Sequence, residues 1–250
     1  MADSASDSSC WLRPDSFLTG LLDRPCFSLA IPKSINWEES EIFKKLYKII
    51  KKKPTFIYAK AATVDIATIS CLETLGFRLV DTNVQLKKNW APALGAVDFN
   101  RCRFARPDDR DAVAQIAGES FGFTRFHLDP LISQVQADAI KAAWASNYFS
   151  GQRGQAMVVG EIEGRIQGFL QLLFVERSLI IDLIAVHQQG RRQRLANDLI
   201  AFAQMHLEGF DAIQVGTQIA NIPSLNFYQH LGFHIKSAHY VLHSHTGASS

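Results

Sequence analysis

Three arginines at the start of a predicted helix form the clearest chemical feature of the sequence. Arg191, Arg192 and Arg194 follow an apolar run at 179–186 that predicts a buried strand, and residues 190–207 predict an amphipathic helix. The first backbone N–H groups of a helix lack partners, and the helix dipole adds positive potential there. The pattern therefore predicts an anion site suited to phosphates, the alternative being a solvated basic helix start.

Other polar residues give weaker signals. Asp182, within the apolar strand, is a candidate general base, but alternation does not decide which way its side chain faces. The histidines do not predict a metal site, since His230 and His234 flank a helix end while His243 and His245 lie near the C-terminus. We therefore expect no metal, and we read the lysine-rich run at 44–53 as the solvated face of a helix.

The elements that must position these residues alternate between strand-like and helix-like periodicity. From residue 101 onward they predict the order β-α-α-β-β-β-α-β-α-β, a mixed α/β (α+β) fold. Glu163–Gly164 predicts a tight hairpin turn. Strands are expected at 101–106, 156–162, 165–174, 179–186, 212–217 and 233–242, and helices at 108–121, 129–149, 190–207 and 221–231, with Asp129 as a cap and Pro130 in the first turn.

The first part of the chain echoes the last. A strand, a helix at 65–75 closed by Gly76, and a strand from Phe77 resemble the later strand, the helix at 221–231 and Gly232. The match does not extend to the chemistry, because Leu72 stands at the position of Tyr228. We expect a partial repeat without a site of its own, the alternative being a common helix–glycine–strand junction.

These patterns predict a domain organisation. We expect a loose tail at 1–10, an N-terminal α/β domain at 11–90 that includes a helix at 38–52, a linker at 87–97, a main domain at 98–244 and a tail at 245–250.

Bulk composition excludes several classes of protein. Hydrophobic residues make up 47% of the chain, charged residues 20%, and the formal net charge is +2. These values predict a globular protein and give no reason to expect nucleic acid or an anionic membrane as partner. No apolar run is long enough to span a bilayer. The four widely spaced cysteines, without C-x-x-C or a secretory leader, predict reduced thiols in a cytoplasmic protein. The oligomeric state stays open, a homodimer included.

The region from Arg101 to Leu242 resembles the GNAT superfamily of N-acetyltransferases. Their pyrophosphate loop reads Q/R-x-x-G-x-G/A, and residues 191–196 fit at the first and last positions, whereas Arg194 replaces the middle glycine. The pattern Asn221-x-x-Ser-x-x-x-Tyr228-x-x-x-Gly232-Phe also agrees. The resemblance implies a mixed sheet flanked by helices, preceded here by a partial GNAT-like repeat, and acetyl-CoA as the co-substrate.

The resemblance also implies roles for individual residues. Tyr228 matches the tyrosine that serves as general acid towards the leaving thiolate, the alternative being a tyrosine ring packed in the core. Asn221 would touch the cofactor near its thioester. The pantetheine arm would lie along Ile184, Ala185 and Val186. The pyrophosphate would be held by Arg191, Arg192, Gln193, Arg194, Leu195 and Ala196.

The acceptor side of the site is predicted from the loop at 120–130. It holds three aromatic residues, Arg125 and His127, and the resemblance places Arg125 and Phe126 against the substrate. The pattern is similar to bacterial acetyltransferases of dTDP-4-amino-4,6-dideoxy sugars, which implies a nucleotide sugar as the amine acceptor. A peptide, protein or small-amine acetyltransferase and a non-catalytic acyl-CoA sensor remain alternatives.

Overall fold

The chain divides into two compact units, the first drawn from 1–83 and 237–250 and the second from 84–236. The computed structural model describes residues 11–31, 44, 46–48, 50, 54–90 and 99–247. The predicted tail at 1–10, most of the predicted helix at 38–52 and the predicted linker from 91 onward lie outside the described residues. Residues 44, 46–48 and 50 of that helix are helical, and residues 87–89 of the linker belong to a strand.

The first unit begins with two elements that the sequence analysis missed, a short strand and a short helix. Asp15 caps this helix by accepting a hydrogen bond from the Leu18 N–H at 2.9 Å. In chain order the unit contains β1 (Leu12–Pro14), α1 (Ser16–Leu22), β2 (Cys26–Leu29), β3 (Thr55–Ala62), α2 (Ile66–Thr74) and the start of β4 (Arg78–Asn89).

The second unit follows the predicted element order. It contains the rest of β4, then β5 (Cys102–Phe104), α3 (Arg110–Ser120), α4 (Gln134–Ser146), β6 (Ala156–Ile162), β7 (Arg165–Val175), β8 (Ser178–Val186), α5 (Leu195–His206), β9 (Ala212–Gln218) and α6 (Ile222–His230), and β10 (His234–Thr246) returns the chain to the first unit. The hairpin turn is confirmed, because Glu163 and Gly164 have φ of 51° and 72°, as a two-residue turn of positive φ requires.

The sheet of the second unit contains the strand order β9-β8-β7-β6-β5. Neighbours from β5 to β8 are antiparallel, while β8 and β9 are parallel and pair from Ser178–Ala212 to Ile181–Val215. Both strands continue beyond this pairing, β8 to Val186 and β9 to Gln218, without further pairing between them in the described chain. The two strands therefore open into a wedge at their carboxyl ends.

A β-bulge at Asp182 sets which way the side chains of β8 face. Gln171 of β7 pairs with Leu183 and Leu172 pairs with Ile181, so that Asp182 is the extra residue. Ile181 accordingly packs in the cluster beneath α5 and α6, whereas Leu183 packs in the cluster beneath α3 and α4. Odd-numbered residues of β8 therefore face one side of the sheet before the bulge and the opposite side after it.

Two predicted helix starts are wrong. Helix α4 begins after Ser133, not at Asp129, because Ser133 and Gln136 form a capping box, while the Asp129 carboxylate accepts from the Leu131 N–H at 2.9 Å in the preceding turn. Helix α5 begins at Leu195, not at Gly190, because residues 188–194 form a separate turn.

The C-terminal boundary also differs from the prediction. Strand β10 pairs antiparallel with β3 through Thr246, which lies opposite Thr55, so that a tail cannot begin at 245. Residues from Ser237 onward belong to the first unit, whereas the sequence analysis placed them in the main domain up to 244. The long register of backbone hydrogen bonds with β3 explains this assignment.

The echo between the two parts of the chain extends to backbone geometry. Asp65 and Asn221 cap α2 and α6 with nearly equal dihedral angles, φ −90° and −86°, ψ 69° and 63°. Gly76 and Gly232 follow these helices with φ of 86° and 85°. The helix cap, the helix length and the conformation of the following glycine all agree. This agreement favours a repeated strand–helix–strand unit over a junction that occurs by chance.

One negative finding concerns membranes: among the described residues, no helix combines the length and apolar character needed to cross a bilayer.

Candidate functional site

A cavity of about 690 Å³ lies within the second unit. It is formed by the segment after α3, the carboxyl ends of β8 and β9, the turn before α5, and α6. Its lining residues are Glu119, Ser120, Phe121, Gly122, Phe123, Thr124, Ile184, Ala185, Val186, Arg191, Arg192, Ala196, Gln218, Asn221, Pro223, Ser224, Phe227 and Tyr228. The wedge between β8 and β9 therefore opens into a space of the size that proteins use for small ligands.

The carboxyl end of β8 forms one wall of this cavity. Ile184, Ala185 and Val186, which the resemblance assigns to the pantetheine arm, all line it. Because the pairing of β8 with β9 stops at Ile181, the backbone of these three residues is not paired on that side by β9. An extended polar chain can occupy this edge and complete its hydrogen bonds, in the manner of an added strand.

The turn at 191–196 has the features of an anion site. Among the described residues, none accepts a hydrogen bond from the five backbone N–H groups of residues 192–196. Arg192 and Arg194 both have a φ of 62°, in the left-handed region, which turns successive N–H groups towards one side. With α5 behind them and the guanidinium groups of Arg191 and Arg192 on the cavity, these groups fit a diphosphate.

The predicted residues of this turn have different positions. Arg191, Arg192 and Ala196 line the cavity, whereas the side chain of Arg194 is exposed and does not line it. Gln193 donates from its side-chain amide to the Gln189 carbonyl at 3.2 Å. Leu195 is buried, and its Cδ1 would lie 2.7 Å from a Cβ at Gly160, so it anchors the start of α5 to β6.

Tyr228 presents an unused hydroxyl to the cavity. The side chain is 3% exposed, and its ring packs against Phe227 and Phe233 with centroid distances of 5.2 and 5.4 Å. No described residue forms a hydrogen bond with its hydroxyl. Burial raises the pKa of Tyr228 well above its ordinary value. The phenol therefore stays protonated over the range in which enzymes work, and it can donate a hydrogen bond to a ligand.

Asn221 has an evident structural role. Its side-chain oxygen accepts a hydrogen bond from the Ser224 N–H at 3.3 Å and so caps α6. The residue also lines the cavity, which is compatible with the predicted contact to a ligand.

The loop between α3 and α4 contributes other residues than those predicted from its sequence. Phe126 is 1% exposed, the guanidinium carbon of Arg125 lies 4.6 Å from the centre of its ring, and neither residue lines the cavity. The wall is formed instead by Phe121, Phe123 and Thr124. The sequence offered only composition for this loop, and composition does not separate the aromatic residues that face the core from those that face the cavity.

Asp182, the candidate general base, is engaged elsewhere. Its carboxylate accepts two hydrogen bonds of 2.6 Å from Arg153, one of 3.0 Å from the Trp144 indole and one of 3.1 Å from Gln171. It does not line the cavity, because the bulge turns it towards α4. A carboxylate with four donors serves to hold the bulge rather than to accept a proton from a ligand.

Comparison with known proteins identifies the family. Residues 110–233 match the acetyltransferase (GNAT) family, and they span the helices, the wedge, the turn and Tyr228 described above. The second unit contains a GNAT acetyltransferase domain. Within this domain, the strand–turn–helix at 179–207 and the Asn–Tyr–Gly pattern of α6 both contribute residues to the cavity wall.

Two curated relatives carry sugar-related names. The spore coat polysaccharide biosynthesis protein SpsD of Bacillus subtilis (strain 168) is 30% identical over 139 residues, 55% of this chain and 48% of that protein. The dTDP-fucosamine acetyltransferase of Escherichia coli O6:H1 is 25% identical over 189 residues, 75% of this chain and 80% of that protein. The match to the first relative thus covers about half of that relative's length.

A solved structure supports the fold over most of the chain. The GCN5-related N-acetyltransferase from Kribbella flavida superposes with a TM-score of 0.58 at 12% identity, covering 90% of this chain and 82% of that one. At this identity the likeness concerns the fold alone, and it includes the first unit as well as the GNAT domain.

Replacing Arg194 with glycine tests the backbone of the turn in this GNAT domain. A non-glycine residue at a φ of 62° carries strain of about 1 kcal/mol, which glycine does not. We expect Arg194→Gly to be about 1 kcal/mol more stable to urea than Arg194→Ala, which loses the same charge but keeps the strain. Equal stability of the two variants would mean that residue 194 does not adopt the left-handed conformation in solution.

Proposed function

We propose that the protein is an acetyl-CoA-dependent N-acetyltransferase whose acceptor is the 4-amino group of a nucleotide-linked (dTDP) 4-amino-4,6-dideoxy sugar. One observation carries the reaction class. A single cavity is lined by Arg191, Arg192 and Ala196 of the turn, whose backbone N–H groups at 192–196 have no described acceptor, by the β8 edge at 184–186 and by Tyr228. An anion site, an extended edge and a proton donor are the three features that a thioester carried on a long phosphorylated arm requires.

The chain's own groups divide the work of the reaction. Arg191, Arg192 and the backbone of the turn neutralise and orient the diphosphate. The open edge of β8 binds the amide groups of the arm in extended form. When bound, acetyl-CoA supplies the activated acetyl group, and Tyr228 donates its hydroxyl proton towards the sulfur as the C–S bond breaks. Because burial raises its pKa, Tyr228 keeps its proton in the resting site and gives it up only as negative charge develops on the sulfur.

The choice of acceptor rests on the relatives and on the cavity wall. Both curated relatives have names that refer to polysaccharide or amino-sugar chemistry. Phe121 and Phe123 line the cavity, and aromatic rings pack against sugar rings and bases.

The deciding experiment is release of free CoA from acetyl-CoA with a panel of acceptors. The panel contains dTDP-linked 4-amino-4,6-dideoxyhexoses, simple amines and peptides. Turnover with the amino sugars alone supports the whole proposal. Turnover with peptides or simple amines alone supports the reaction and refutes the acceptor. Saturable binding of acetyl-CoA without turnover on any acceptor would favour the sensor alternative.

The role of the two arginines at the cavity is separable from the chemical step. We expect Arg191→Gln/Arg192→Gln to raise the KM for acetyl-CoA about 10- to 100-fold and to change kcat less than about threefold, because ground-state and transition-state binding are lost together. The salt dependence of that KM is expected to weaken as well. Arg165→Gln, on the hairpin at the other end of β7, is the matched control. A fall in kcat with an unchanged KM would contradict this assignment.

A further inference from the structure

A buried histidine lies directly behind the cavity wall. Thr124 lines the cavity, and its Oγ1 lies 2.6 Å from Nδ1 of His127. The other ring nitrogen of His127, Nε2, lies 3.0 Å from Oδ1 of Asp138 on α4. The His127 side chain is 1% exposed, whereas that of Asp138 is 35% exposed. A hydroxyl, an imidazole and a carboxylate therefore form one continuous chain from the cavity to the surface.

The carboxylate determines the tautomer of the neutral imidazole. The Asp138 carboxylate only accepts hydrogen bonds, so that Nε2 of His127 carries the hydrogen and Nδ1 is an acceptor. The Thr124 hydroxyl must then donate to Nδ1. Its oxygen accepts from the His127 N–H at 3.5 Å, and one lone pair remains for a donor in the cavity. This is the arrangement in which a hydroxyl passes a proton to a histidine that a carboxylate orients.

The relay has support from the surrounding backbone. Thr124 and His127 lie in one helical turn, in which the Leu128 N–H donates to the Thr124 carbonyl at 3.0 Å. Asp138 is held by a second donor, the side-chain amide of Gln134 at 2.9 Å. These contacts fix the three side chains before any ligand binds, which is the condition for a proton to move along them without rearrangement.

The GNAT domain otherwise offers few groups for removing a proton from the acceptor. Asp182 is held by four donors on the α4 side of the sheet. Glu119 lines the cavity, but its side chain is 51% exposed and lies 3.5 Å from Nε2 of His187. An exposed carboxylate beside a second histidine is a weaker base for a nitrogen within the cavity than a buried and oriented imidazole.

We propose that Thr124, His127 and Asp138 form the proton relay that deprotonates the acceptor nitrogen. This inference rests on the proposed acetyl transfer. As the C–N bond forms and the C–S bond breaks, the nitrogen gives a proton to Oγ1 of Thr124, and the hydroxyl proton of Thr124 passes to Nδ1 of His127. The imidazolium is stabilised by Asp138 and returns its proton to solvent past that exposed carboxylate. The sulfur takes its proton from Tyr228, which is reprotonated from solvent.

The test compares variants that keep or break the chain. With acetyl-CoA saturating, Thr124→Val is expected to lower kcat about 100- to 1,000-fold, whereas Thr124→Ser retains it within about threefold. His127→Gln is expected to lower kcat about 100-fold, and Asp138→Asn about 10-fold. The KM for acetyl-CoA should be unchanged in all four. Val135→Ala, at a 78% exposed position of α4, is the control and should retain activity.

The pH profile separates a relay from a structural tie between the loop and α4. Asp138 is the charged group in contact with the His127 ring, and Arg125 on the same loop packs over Phe126. In the wild type, kcat is expected to fall at low pH, where a relay that must accept a proton is blocked. In His127→Gln this acid limb is expected to disappear, although kcat remains low at every pH. A purely structural residue would lower kcat and leave the limb in place.

Several outcomes would overturn the relay. Full turnover by Thr124→Val, or loss of the acid limb in Glu119→Gln instead of His127→Gln, assigns the base elsewhere. An acetyl group found on Thr124 by mass spectrometry after incubation with acetyl-CoA alone makes this residue a nucleophile. Absence of transfer by the wild type on every acceptor refutes the proposed function together with the relay. Independently of activity, 15N NMR should show His127 as the Nε2–H tautomer, and the Nδ1–H tautomer would refute the relay.

Discussion

Replacing Tyr228 with phenylalanine is expected to lower kcat about 100- to 1,000-fold while leaving acetyl-CoA affinity unchanged. The ring keeps its packing against Phe227 and Phe233, so that only the hydroxyl is removed from the cavity. The measurements are steady-state CoA release and equilibrium binding of acetyl-CoA. Tyr148→Phe is the matched control, because Tyr148 packs on Phe149 in the same unit and does not line the cavity.

The same substitution is expected not to destabilise the fold. The hydroxyl of Tyr228 forms no hydrogen bond with a described residue, so that phenylalanine at this position breaks no contact within the protein. Its removal should therefore leave stability unchanged or raise it by up to about 1 kcal/mol. A substitution that lowers activity without lowering stability indicates that the replaced group serves the reaction rather than the fold. Unchanged turnover would refute the general-acid assignment, and a large loss of stability would mean that the hydroxyl is bonded.

Most of the strands and helices of the GNAT domain could be predicted from the sequence because their signals are local. Strand β6 matches its predicted bounds, Ala156–Ile162, since it ends at a two-residue turn that requires positive φ. The helix starts were harder. Asp129 and Pro130 have the composition of a cap and a first helical residue, yet the capping box of Ser133 and Gln136 begins α4 four residues later. Residue composition alone does not decide which of two nearby residues, Asp129 or Ser133, caps the helix.

The cavity-lining residues of the turn and of α6 could be selected from short patterns, because each pattern joins residues that are close together in the chain. The bulge at Asp182 could not be predicted. It depends on the register between β7 and β8, in which two residues of β8 lie opposite one residue of β7. The sequence pattern of a single strand does not contain this register. The bulge decides that Asp182 faces Trp144 and Arg153 rather than the cavity, which alternation left open.

The Thr124–His127–Asp138 chain depends on a tertiary contact in the same way. Thr124 and His127 are neighbours in one turn, but Asp138 lies on the next helix, and only the packing of the loop against α4 brings the carboxylate to the ring. The sequence analysis selected the loop for its aromatic residues and arginine. The residues that line the cavity or lie directly behind it could be identified only once this packing was known.

Lys141 of α4 is the residue at which a substitution is expected to stabilise the protein most. It is 8% exposed, and its ammonium lies 4.9 and 4.8 Å from the ring centres of Phe121 and Trp144. Burial lowers the pKa of Lys141 from 10.5 to about 8, opposed by the charge of Asp182 and reinforced by those of Arg125 and Arg153. The aromatic faces return only part of the hydration that the ammonium loses.

The sign of the pH dependence follows from this lowered pKa. Below pH 8 the folded and unfolded chains both carry the charge, so that the full cost of burying it weakens the fold. Between about pH 8 and 10.5 the unfolded chain holds the proton and the folded chain does not, and stability rises with pH through this window. The cost is absent above it. Lys141→Met should therefore be more stable than the wild type at pH 7 by about 1–3 kcal/mol, with the difference vanishing towards pH 10.5.

The measurement is urea unfolding of both proteins across that pH range, taken as a difference. The difference cancels the contributions of Tyr228, Cys26 and Cys71, whose pKa values burial raises. Lys141→Arg keeps the charge and is expected to gain no stability, which makes it the matched control. A constant gain for Lys141→Met at every pH would show that packing, not charge, is responsible. If the methionine variant is more stable but acylates charged acceptors less well, the ammonium behind Phe121 is retained for binding rather than for folding.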